Sequence, residues 1–271
     1  MYPYWETIIE PLLVRLRPTC VVEIGSEEGK STRRLAELCR RLGAVLHAID
    51  PAPKFDVAGW QTEFGGRLIV HRAKSLDALP QIESVDAALV DGDHNWYSVY
   101  HELKLIERSS TAAGRPFPLV FCHDIGWPYG RRDLYYDPTS IPAEHRNPYQ
   151  KKGMRPDSTQ LVERGGFNPG LCNATIEHGP RNGVLTAVED FVREASEPID
   201  LVQLPGFHGL GILCARRLKE SNAELALYVD SVNLTPWMRQ YVAQLEAWRV
   251  RAELAEREAR AALRLAKSRR Q

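Results

Sequence analysis

Short apolar runs alternate with helically spaced apolar positions through the first half of the chain. Residues 5–16 carry apolar side chains at helical intervals and stop before Pro18, which predicts a helix. Cys20-Val21-Val22-Glu23-Ile24 then reads as a strand and Gly25-Ser26-Glu27-Glu28-Gly29 as a glycine turn. Residues 31–42 read as a helix with Leu35, Ala36, Leu38 and Leu42 on its buried side. Further strands are predicted over 44–49, ending at Asp50, and over 67–71, ahead of a turn at 75–79. Another over 85–90 ends in Asp91-Gly92-Asp93-His94, a helix follows over 97–106, and a strand over 118–122 ends at His123-Asp124. Apolar strands separated by helices predict an α/β fold, a doubly wound, mostly parallel, Rossmann-like sheet covered on both faces. Ligand groups then gather beyond the carboxyl ends of the strands.

The pattern weakens over residues 126–182, which are rich in Pro, Gly, Tyr, Arg and Asn. So long a connection predicts a functional insertion, and its aromatics favour an ordered lid. A helix over 184–195 and an antiparallel pair of strands over 201–204 and 211–215, flanking Pro205-Gly206, restore regularity. Helices are predicted over 223–232 and 237–267, the second opening after Pro236. Trp237, Tyr241, Leu245 and Trp248 follow helical spacing, as a packed or dimerising helix would. Beyond them Leu254, Ala261 and Leu265, interrupted by Glu258, make a weak coiled-coil seam, and the terminal Lys267-Ser268-Arg269-Arg270-Gln271 reads as solvated. The expected organisation is one domain over 1–217, with an insertion near 126–182, and a helical extension over 218–271.

Composition changes this picture little. With 271 residues, 44% of them hydrophobic, the chain can bury a sizeable core. Lys plus Arg and Asp plus Glu both number 35, so no net field draws the chain to nucleic acid or an anionic membrane. Cys20, Cys39, Cys122, Cys172 and Cys214 show neither a paired nor a zinc-ligand spacing, which points to a reducing cytoplasm. A basic leader and a long apolar run are both missing from the sequence as read, so a cytoplasmic protein without membrane contact is expected.

The chemistry concentrates in two motifs. Val21-Val22-Glu23-Ile24-Gly25-Ser26-Glu27-Glu28-Gly29-Lys30-Ser31 lacks the glycines of a dinucleotide fingerprint, having Glu27 and Lys30 at those positions. A phosphate loop fails too, because Ile24 stands six residues before Lys30 and two carboxylates would repel a nucleotide. The segment resembles motif I of class I S-adenosylmethionine-dependent methyltransferases, and the resemblance extends over about residues 18–217. It implies that Gly25, Ser26, Gly29 and Ser31 cradle the methionine portion of S-adenosylmethionine. Asp50, at the end of the second strand, is placed to bind the ribose hydroxyls. In the family, Ser75 falls where adenine is contacted, with Leu76 beside the ring, and the acidic Glu23 orders the cofactor loop or accepts from the cofactor amino group through water.

Asp91-Gly92-Asp93-His94-Asn95-Trp96-Tyr97 resembles a segment of bacterial small-molecule and sugar O-methyltransferases and of cephalosporin-hydroxylase-like proteins, and more distantly of catechol and caffeoyl-coenzyme A O-methyltransferases. That resemblance implies a divalent metal, such as Mg or Mn, on Asp91, His123 and Asp124, with His123 departing from the family's acidic or amide ligand. Asp91, Asp93 and His94 then border the cofactor as well, and His94, oriented by Asp93, is the favoured base, with His123 a second candidate. Trp127, Tyr129, Arg131, Arg132, Asp133, Tyr135 and Tyr136 are expected to read the substrate, and Arg181 to hold an anionic group on it.

The expected function is O-methylation of a small polyhydroxylated acceptor, a sugar of a natural product or surface glycan, by an enzyme that self-associates through its C-terminal helices. Metal-dependent hydroxylation and a noncatalytic scaffold are the alternatives.

Overall fold

The computed structural model describes residues 1–268, with side chains to Leu263. The seam position Leu265 and the terminal tail read as solvated therefore lie outside the described side chains. The chain opens with a 3-10 turn at Tyr2–Tyr4 and a π turn at Trp5–Ile9 before α1 (Glu10–Leu16). The predicted helix over 5–16 is thus irregular at its start, because Pro11 has no amide N–H to donate back to Thr7.

The central elements follow as β1 (Cys20–Ile24), α2 (Lys30–Leu42), β2 (Val45–Ile49), α3 (Val57–Phe64), β3 (Leu68–His71), α4 (Ser75–Ala78), β4 (Ala87–Val90), α5 (Trp96–Ala112) and β5 (Leu119–His123). The insertion holds β6 (Leu134–Tyr135), β7 (Tyr149–Lys151), β8 (Gly153–Arg155), β9 (Ser158–Val162) and β10 (Cys172–Ala174). After it come α6 (Val184–Glu194), β11 (Ile199–Leu204), β12 (Leu210–Ala215), α7 (Arg216–Ser221), α8 (Ala223–Ser231) and α9 (Pro236–Ser268).

Seven strands form the main sheet in the order β11-β12-β5-β4-β1-β2-β3. β1 to β5 pair in parallel, and β12 runs antiparallel to both β5 and β11. All six residues of β12 are buried, whereas β11 carries the half-exposed Asp200 and Gln203. The later strand is therefore the inner one and β11 takes the edge. Successive side chains of each strand enter opposite cores. Val22, Ile24, Ala88, Val90 and Val120 face one, and Val21, Ala87, Leu89, Leu119 and Phe121 face the other.

α5 runs beyond the predicted 97–106, since Asn95 caps its start by accepting from Ser98 N and the buried Ser110 bonds back to Ile106 O. The insertion forms a three-stranded sheet, β6-β10-β7, and a β8-β9 hairpin. Leu225 and Val229 of α8 enter the core that holds Leu12 and Leu13 of α1. α9 is anchored by Val250 and Leu254, which are buried, and by Glu258 to Arg155. No helix among the described residues is long and apolar enough to cross a membrane.

Candidate functional site

Strand register builds the site. Ile24 of β1 lies beside Ile49 of β2 and Val90 of β4, and Val90 beside Cys122 of β5. One residue further along each strand stand Asp50, Gly25, Asp91 and His123, a single row beyond the carboxyl edge. β1 and β4 leave the strand order in opposite directions, so a crevice opens at their ends.

Gly25 takes φ 87°, and a Cβ there would meet Asp91 O at 2.2 Å, so no other residue fits this turn. Around the turn, buried Ser26 Oγ has no hydrogen-bond partner among the described residues, and Glu23 Oε2 and Thr32 Oγ1 have none beyond a loose contact of these two side chains with each other. Burial pushes the Glu23 carboxyl up to about 8, so it is mostly protonated at neutral pH. Asp50 turns back on the turn, Oδ2 accepting from Ser26 N at 3.0 Å and Glu27 N at 2.7 Å, and Oδ1 from Ala52 N at 2.7 Å. One lone pair on Oδ1 is left for a ribose hydroxyl.

Two expectations about the cradle change. A Cβ on Gly29 would meet the Trp60 ring at 2.7 Å, so the space that this glycine leaves is filled by protein. Asp93 does not orient His94; its Oδ2 accepts from Ser98 Oγ at 2.8 Å, one turn into α5. Ser31 lies half-buried in the first turn of α2. Ser75 opens α4 and donates to Glu102, a fully buried carboxyl that burial raises to about 8. Nothing in the helical pattern of α5 singled out Glu102; a charged residue on an otherwise buried face was the available signal.

Asp91, His94, His123 and Asp124 converge. Asp124 Oδ2 lies 2.8 Å from both His94 Nε2 and His123 Nδ1, and Asp91 Oδ1 lies 3.2 Å from His123 Nδ1. The amino group of Met1 donates to Asp91 Oδ2 at 3.0 Å. Asp124 adopts φ 58°, a left-handed conformation that costs a non-glycine residue about 1 kcal/mol or more. Burial alone would lower both imidazole pKa values, but the two carboxylates outweigh it. They push His123 up to about 10 and His94 well above its usual range. In turn, against the upward push of burial, the imidazolium charges hold Asp91 and Asp124 well below the usual carboxylate range. Asp91, His123 and Asp124 each offer a ligand atom within 4.8 Å of the others. His123 Nε2 donates to Phe207 O at 3.0 Å, which leaves Nδ1 to face the carboxylates.

Most of the insertion does not reach this cluster. Arg131 is bound by Glu189 at 2.6 and 2.8 Å, and the buried Arg132 by Glu177 and Thr159 O. Asp133 accepts four hydrogen bonds, from Trp96 N, Gly183 N, the Tyr135 hydroxyl and Asn147 Nδ2. Tyr129 is buried against Asn168, Trp127 packs on Phe167, and Arg181 lies over the Trp96 ring. Of these residues, expected to read substrate, Arg131, Asp133 and Arg181 tie the insertion to α5 and α6, while Arg132, Tyr129 and Trp127 are bound within it. Two tyrosines do reach the cluster: the Tyr129 ring centroid lies 5.3 Å from that of His94, and Tyr136, itself 57% exposed, sets its hydroxyl 3.4 Å from His94 Nδ1. Tyr4, unnoticed in the sequence, sets its ring edge-to-face with His123, centroids 6.3 Å apart, and donates to Gly206 O.

Residues 22–125 match the model of a family described as a methyltransferase domain. Over that segment, less than half of its length, the chain is similar to a methyltransferase domain. The matched segment runs from β1 to just past Asp124 and holds the whole row, while the insertion and α9 lie outside it. Among solved structures the chain is similar to a methyltransferase from Podospora anserina bound to S-adenosylhomocysteine, at 19% identity over 77% of this chain and 76% of that one, with TM-score 0.46. It is also similar to the O-methyltransferase TomG of tomaymycin synthesis from Streptomyces achromogenes, in complex with S-adenosylmethionine, at 18% identity over 76% and 78%, TM-score 0.44. A third is 1,6-didemethyltoxoflavin-N1-methyltransferase from Burkholderia thailandensis, at 15% identity over 79% and 81%, TM-score 0.41. No curated protein matches the chain.

Proposed function

We propose that this methyltransferase moves the methyl group of S-adenosylmethionine to a hydroxyl of a small polyhydroxylated acceptor, such as a sugar of a natural product or surface glycan. The carrying observation is the pairing of two unlike halves in one row. At Gly25 a side-chain-free turn is ringed by the under-partnered Glu23 Oε2, Ser26 Oγ and Thr32 Oγ1, which suit the polar methionine end of the cofactor. At Asp91, His123 and Asp124 a cluster of hard oxygens and one imidazole suits a divalent cation and, through it, an oxygen acceptor. The imidazole favours manganese or iron over magnesium.

Bound at its cradle, S-adenosylmethionine would supply an electrophilic methyl group on a sulfonium. The protein's own work is to hold that cofactor by Asp50 and the Gly25 turn, to align an acceptor oxygen in line with it, and to take the departing proton. His94 is the base in this reading. Asp124 fixes its Nε2 and Tyr136 touches its Nδ1, so the ring is held at both nitrogens. A cation on Asp91, His123 and Asp124 would lower the pKa of a bound hydroxyl and relieve the negative charge that now keeps both imidazoles protonated. Five free cysteines suit a cytoplasmic setting, and self-association through the C-terminal helices completes the proposal.

Calorimetric titration with S-adenosylmethionine, with and without chelator and with added Mg or Mn, tests the cofactor half. Micromolar binding that survives chelation and weakens at least about tenfold in Asp50→Ala is expected. A folded sample that binds under none of these conditions would overturn the reading.

A further inference from the structure

α9 is 33 residues long, about 50 Å, and the body of the protein covers one side of it. Val250 and Leu254 are buried on that side, with Glu246 receiving His208 N at 2.8 Å. At about 100° per residue, the opposite side carries a second apolar line. It runs Tyr241, Leu245, Trp248 and then Ala252, Ala255, Ala259 and Ala262, alternating steps of four and three residues, the spacing of a heptad seam. Every one of these positions is exposed, Trp248 by 55% and Tyr241 by 52%.

The seam is graded, large at one end and all alanine at the other. Two such helices in parallel would stack Trp248 on Trp248 and leave alanine facing alanine, so their axes could not stay evenly spaced. Reversed, each large side chain meets a small one. We infer that α9 pairs with α9 of a second copy as an antiparallel coiled coil, with Leu245 against the partner subunit's Ala262 and Trp248 against the partner subunit's Ala259.

The flanking charges select that register. In it Arg249, which also holds Glu246 and Glu253 of its own helix, faces the partner's Glu256, and Glu258, which also holds Arg155, faces the partner's Arg251, and the two-fold axis repeats both pairs. Val242 faces the partner's Leu263 on the same flank. Sliding the helices by one heptad toward their starts would instead oppose Arg249 with Arg249 and Arg251 with Arg251, a like-charge arrangement. Because the seam lies opposite the docked side, the two protein bodies fall on the outer flanks of the helix pair.

The inference rests on the self-association proposed above and adds its partner, direction and register. Sedimentation of the full chain at micromolar concentration reads the first, with a dimer expected and at least about a hundredfold weaker association for Trp248→Glu, whose side chain is exposed and leaves folding intact. Oxidative cross-linking reads the others. A mixture of Leu245→Cys and Ala262→Cys proteins should form disulfide-linked dimers joining one of each, and Leu245→Cys alone should not. A chain that stays monomeric, or that leaves solution only on anionic vesicles, overturns self-association altogether. A dimer that cross-links through Leu245→Cys alone is parallel and overturns the direction while keeping the dimer.

Discussion

The insertion and the row at the strand ends are both polar and partly buried, yet their polar groups are in opposite states. In the insertion, Asp133 has four donors on two oxygens, and Arg132, 1% exposed, has a carboxylate and two carbonyls. In the row, Glu23, Ser26 and Thr32 have under-partnered atoms, Asp124 holds a strained backbone, and two imidazoles are crowded against two carboxylates. A saturated buried network specifies shape, whereas a buried group left short of partners is open to a ligand. Polarity alone did not separate the two regions, whereas partner count did for their carboxylates and arginines, His145 Nδ1 being the insertion's unpartnered buried atom among the described residues.

Substitution in each region breaks the comparison most sharply. Asp91→Asn should lower turnover about a hundredfold while the domain still unfolds cooperatively. Asp133→Asn should instead lower unfolding free energy by about 3 kcal/mol, because its amide would face donors in place of an acceptor. Denaturant melts beside methyl-transfer rates check both, and equal stability losses would erase the distinction.

A smaller effect concerns pH. Burial raises the Glu23 and Glu102 carboxyls from 4.5 to about 8, so in that interval the folded chain binds more protons than the unfolded one. Stability is then fully present below about pH 4.5 and declines as pH rises through about 8, by up to about 1.4 kcal/mol per unit for each group. The melting temperature of the native protein minus that of Glu23→Gln should fall from pH 5 to 8, because only the native protein carries Glu23's share of that slope. An unchanged slope would mean that Glu23 is already paired. The smallest effect is expected for Tyr136→Phe, a rise of about fivefold in the acceptor's KM with kcat nearly unchanged, the worth of one hydrogen bond.

Much of the fold was legible because its strands are buried on both faces and its helices on one. The apolar runs at 44–49 and 67–71 coincide with β2 and β3 to within one residue, and Asp50, Asp91 and His123 followed as the residues that end strands. The π turn at Trp5–Ile9, the two small sheets of the insertion and the place of Tyr4 beside His123 were not legible, since short segments held by distant partners carry no periodicity of their own. The roles expected of Arg131, Arg132 and Asp133 were wrong for a related reason. A charged side chain bound to partners far along the chain looks, in sequence, like one waiting for a ligand.

By itself the sequence determined the alternation of strands and helices, the glycine turn at Gly25 and the acidic residues that end the strands, because each depends on local spacing or on backbone conformation. Tertiary structure alone decided that β12 lies inside β11, that Asp124 rather than Asp93 holds His94, and which buried carboxyls keep an unpaired oxygen. Those outcomes depend on which groups meet across the sheet, and hydrogen-bond partners so distant in the chain are set by packing.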